Sequence, residues 1–130
     1  MTEEAKEYVK NLLIKANEDI AILELSSEHP ENYTSAICFH SQQAVEKFFK
    51  SYLAYKEIEF ERKHDVDFLL SQCMKVEKSQ FEYLDLKSLN DYAVKVRYAD
   101  DFYLPSVKEA LEYKEIAFEV KKIVDGKIKF

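Results

Sequence analysis

Phe39-His-Ser-Gln-Gln-Ala-Val-Glu-Lys-Phe-Phe-Lys50 is the stretch on which the fold turns. It lies in a run from Tyr33 to Glu57 that holds no Gly and no Pro and is dense in good helix formers, so it predicts one long helix. At ~1.5 Å per residue that helix reaches roughly 37 Å, enough to cross a small domain. On a helical wheel Ile37, Cys38, Ser41, Val45, Phe48, Phe49, Tyr52 and Leu53 share one broad side. His40, Gln43, Glu46, Lys47 and Lys50 share the other, among the small residues Ala36, Ala44 and Ala54. A solvated face is usually plain Glu and Lys. An imidazole and carboxamide beside alanines suit close approach by another surface or a ligand.

Working outward, the composition allows little but helices. The 130 residues are 47% hydrophobic and 34% charged, with one Gly and two Pro. So few turn formers cannot build a sandwich or barrel. One domain is expected over residues 1–130, with its core at about 3–124 and a short tail at 125–130. The net charge of −6 argues against a generic nucleic-acid coat but allows a local basic site. Cys38 and Cys73 sit among apolar residues and read as buried thiols in a reducing compartment. Met1-Thr-Glu-Glu is acidic, the apolar positions after it are spaced, and no window nears the ~20 apolar residues of a membrane span. A cytoplasmic location without membrane association is expected.

The first helix is predicted from Glu3 to Ser27, with Thr2 as N-cap and Ala5, Tyr8, Val9, Leu12, Leu13, Ala16, Ile20 and Leu23 facing inward. A turn with Pro30 leads to the long helix. Ile58-Glu-Phe-Glu-Arg62 is too short a strand pattern to pair, and reads as a connector. A third helix starts at Asp65, Val76 to Gln80 reads as polar linker, and a fourth helix covers Phe81 to Tyr98 with Leu89, Tyr92, Ala93 and Val96 inward. Pro105, Ser106 and Glu109 have the spacing of a capped helix start, and Gly126 ends that fifth helix. The fold class is all-α, a five-helix up-and-down antiparallel bundle.

With Phe39 to Lys47, Lys63-His64-Asp65-Val66 and Val96-Arg97-Tyr98-Ala-Asp100 in view, the chain resembles the HEPN domain family, from the first helix to about Val124. The resemblance implies a five-helix bundle that forms a homodimer. It further implies a nucleotidyltransferase partner, of which such a chain is the substrate-binding subunit, and a toxin–antitoxin or defence setting. Many members are metal-independent ribonucleases whose motif is an Arg and a His with four to six residues between them. In a related form the partner transfers a nucleotide to a Tyr near that His.

Arg97 matches the family Arg, but Phe102, Tyr103 and Leu104 stand where the His would follow. No imidazole is then supplied there to take a proton from a ribose hydroxyl, and a Tyr with a pKa near ~10 is a poor base. The expected function is therefore a dimeric nucleotide- or RNA-associated binding module, with Arg97, Tyr98, His40, Gln43 and Lys47 as ligand-binding or interface residues. The first alternative is an endoribonuclease toxin using Arg97 with Tyr103 or His64; the second is a scaffold that docks a partner. Tyr98 and Tyr103 are candidates for nucleotide transfer.

Each residue also has a plainer role. Arg97 could pair with Asp100 or Asp101 at a helix end, His40 could pack at a subunit seam, and His64 could orient a loop beside the capping Asp65. Lys47, Lys50 and Gln43 form either a solvated face or the lining of a groove in a dimer. Three His and two Cys at no ligand spacing give no metal site, and the single Gly near the C-terminus gives no phosphate loop, so no cofactor is expected.

Overall fold

The computed structural model describes residues 1–60, 64–91 and 103–130, and the chain is an all-helical bundle of five helices. Four α-helices have their bounds among the described residues: α1 (Glu3–Ser26), α2 (Thr34–Tyr55), α3 (Val66–Phe81) and a C-terminal helix (Val107–Asp125). No strand occurs among those residues. Helical residues also begin at Leu89–Asp91, ahead of residues 92–102.

Local chemistry sets most of the starts. Thr2 accepts from Ala5 N at 3.0 Å, with Glu3 and Glu4 in the first turn of α1. Asp65 accepts from Asp67 N and Phe68 N, opening α3. Ser106 and Glu109 cap one another in both directions at 3.1 and 3.2 Å. The long helix stops differently. Glu57 adopts φ 58°, and Ile58 N reaches back to Leu53 O at 2.9 Å. This is the doubly bonded left-handed cap usually built on Gly, here built on a glutamate.

Alpha2 is the axis of the molecule. Ile37, Val45, Phe48, Phe49, Tyr52 and Leu53 are wholly buried, as the wheel predicts. Phe81 packs edge-on to Phe49 at 6.2 Å and tilted on Tyr52 at 4.9 Å. Fully burying side chains of this size stabilises by about 1.5–3 kcal/mol each before entropy is counted. Ala44 and Glu46, expected on the open flank, are buried too, because α2 has neighbours on several sides.

The contacts fix the helix directions. Asp19 of α1 meets His40 and Lys47, while Ala5 and Tyr8 lie near Ala54 and Glu57, so α1 is antiparallel to α2. His64 meets Glu46, Cys73 meets Phe49 and Glu77 meets Tyr52, so α3 runs in the same sense as α2. The C-terminal helix also runs with α2: Leu104 lies beside Thr34, and Tyr55 meets Lys129 and Phe130. These directions refine a simple up-and-down alternation.

Three local expectations change. Tyr8 is half exposed, because the inward line of α1 is Val9, Ala16, Ile20 and Leu23 and Tyr8 lies ~100° away from it. Val76 to Gln80 is not linker; α3 continues to Phe81 across a break at Glu77 (φ −151°, ψ 73°). Phe81 therefore closes α3 and does not open the next helix, which begins at Leu89, buried as expected. Arg62, Tyr92, Ala93, Val96, Asp100, Asp101 and Phe102 fall outside the described residues.

Candidate functional site

Asp19 falls on α1 between Ala16 and Leu23, on the side that meets α2, and is only 5% exposed. Burying a carboxylate is costly unless it is paired and hydrogen-bonded. Two residues of α2 do this, seven apart and so on one line of the helix. His40 Nδ1 lies 2.8 Å from Asp19 Oδ1, and Lys47 Nζ lies 2.6 Å from Oδ2. A neutral His40 bonded through Nδ1–H keeps Nε2 as its remaining acceptor.

A second cluster repeats the pattern on the other edge of the flank. Glu46, 3% exposed, takes Lys50 Nζ at 3.1 Å and His64 Nδ1 at 2.5 Å on the same oxygen. The backbone around His64 is held as well, since Gln42 donates to His64 O at 3.3 Å and Gln43 donates to Gln42 Oε1 at 2.9 Å. The His64 side chain remains 83% exposed. Each buried acid therefore carries one imidazole and one ammonium, and the polar flank of α2 is close to charge-balanced.

Tyr103 is tied to the C-terminal helix, its hydroxyl donating to Glu109 at 2.6–2.7 Å. The start of α3 is fastened to the next helix by Asn90, whose oxygen accepts from Val66 N at 3.0 Å and whose amide donates to Asp65 at 2.7 Å. Desolvation first, then the Asp65 charge, hold the Asp67 carboxyl above its usual range. Among the described residues no group of three acids, His or Cys is placed to hold a metal ion.

The family model for the HEPN domain matches residues 9–127. The chain belongs to the HEPN domain family. No curated protein and no solved structure matches it. Membership gives this HEPN domain a nucleotide- or RNA-related function in general terms. No helix among its described residues is long and apolar enough to cross a membrane.

Of the residues picked from the sequence, His40 and Lys47 meet on one carboxylate, Gln43 joins the Gln42–His64 chain, and His64 belongs to the second cluster. Arg97 and Tyr98 lie outside the described residues. The spacing did not reveal Asp19 and gave Glu46 no role. An acid flanked by the inward residues Ala16, Ile20 and Leu23 was the available signal for Asp19.

Proposed function

We propose that this HEPN domain is a homodimeric nucleotide- or RNA-associated binding module that works with a nucleotidyltransferase in a toxin–antitoxin or defence setting. The observation that carries the reading is Arg97 in the family position followed by Phe102, Tyr103 and Leu104 in place of an imidazole. The described part of the flank fits the same reading. Its imidazoles and ammoniums are already committed to buried carboxylates, and the small residues Ala36 and Ala54 are only partly buried.

Calorimetric titration of the purified chain with mononucleotides and short RNA tests it, with light scattering for the mass. Saturable binding by a dimer, weakened in Arg97→Ala, is the expected result. A monomer that binds neither ligand overturns the reading. Copurification with a nucleotidyltransferase encoded beside it tests the partner; no association on coexpression removes that part.

A second reading, an endoribonuclease toxin, draws on one feature: His64 is exposed and oriented through Nδ1 by Glu46, leaving Nε2 outward. A carboxylate-held imidazole is a usual form of general base. On this reading growth arrest on expression disappears in both Arg97→Ala and His64→Ala; arrest that persists in either removes it.

A further inference from the structure

A groove of about 260 Å³ opens at the N-terminal end of α2, walled in part by Tyr33 and Leu104, both exposed. Thr34, Ser35 and Ala36 line it, and their N–H groups precede the first ladder bond of the helix, from Ile37 N to Tyr33 O at 2.8 Å. Among the described residues no side chain caps this end and no acid stands in its first turn, so the positive end of a 22-residue helix faces the groove.

Thr34 adds an independent observation. The residue is only 6% exposed, it lines the groove, and among the described residues its hydroxyl has no hydrogen-bond partner. Among the described residues no wholly buried side-chain polar atom is left without a partner, so this hydroxyl keeps some exposure, and the groove is the opening that Thr34 lines. A nearly buried donor kept unpaired beside free backbone N–H groups suits an anion that takes several short hydrogen bonds at once. Glu31 also lines the groove and opposes an anion; it stands 3.8 Å from His29 Nδ1.

We propose that this end of α2 binds the terminal phosphate of a mononucleotide, with the N–H groups of Thr34 to Ala36 and the Thr34 hydroxyl donating to the phosphate. The exposed ring of Tyr33 and the Leu104 side chain offer apolar surface to the base. The choice of a nucleotide rests on the binding reading above; the phosphate site rests on the groove.

Amide spectra of the isotope-labelled full chain, titrated with inorganic phosphate, AMP and adenosine, test this. AMP and phosphate should shift the Thr34, Ser35 and Ala36 amides saturably, and adenosine should not. Thr34→Val, which keeps the shape and removes the hydroxyl, should weaken AMP about tenfold. Ser35→Glu, which places a carboxylate in the same field, should weaken it at least as much. Spectra unchanged elsewhere show that both variants fold. Stationary Thr34 to Ala36 amides overturn the site, even when AMP shifts residues elsewhere and the nucleotide reading stands. Shifts with phosphate but none with AMP, or wild-type AMP affinity in both variants, overturn the proposal too.

Discussion

Asp19 holds two cations of α2 from a nearly buried position on α1, and its removal would strand both. Asp19→Ala should cost about 2–3 kcal/mol in urea unfolding, below the range for a fully buried pair because His40 and Lys47 keep some water contact. A loss under about 0.5 kcal/mol would mean the cluster is an ordinary surface pair. The thiols give a second prediction. Burial pushes both up to about 12, with Glu109 adding to the effect at Cys38. A thiol reagent near neutral pH should therefore label Cys38 and Cys73 only as fast as the chain opens, and prompt labelling of the native protein would contradict the packing around them. The Asp19 cluster was not legible beforehand: its members stand 21 and 28 residues apart, and only the docking of α1 on α2 brings them together.

At the scale of elements, caps were legible and breaks were not. Thr2, Asp65 and the Ser106–Glu109 pair act within three residues of themselves, so spacing reveals them. The left-handed Glu57 and the broken turn at Glu77 carry no Gly or Pro to announce them. Glu57→Gly should raise stability by roughly 0.5–1 kcal/mol, because glycine adopts that backbone without the side-chain penalty. A variant that loses stability would show that the cap is held by other contacts.

Glu77 also sets a pH dependence. Hydrogen bonds from Lys127 and then Tyr52 hold its carboxyl below the usual 4.5, so its contribution is full above that value and fades as pH falls through the lowered one. The Tyr52 hydroxyl is raised above 10.0, chiefly by desolvation and then by Glu77, so its contribution is full below that value and fades as pH rises through the raised one. Asp67, raised, acts against Glu77 at the acid end. Tyr52→Phe should reduce the loss of stability at both extremes; unchanged pH profiles would remove this account of the Tyr52–Glu77–Lys127 link.

For the whole molecule, a long helix free of Gly and Pro, with an apolar side matched by those of its neighbours, was enough to specify an all-helical bundle. The sense of α3 was not, since the connector after Tyr55 returns the chain to the level of Glu46 before α3 starts. Function follows a similar division: the HEPN motif was legible, while the commitment of its imidazoles to buried acids required the packed structure. The claim that this chain binds without cutting is tested most directly by incubating the purified chain with labelled RNA and following cleavage beside an Arg97→Ala control. The account predicts intact RNA with both proteins. Multiple turnover by the wild type that vanishes in Arg97→Ala would contradict it.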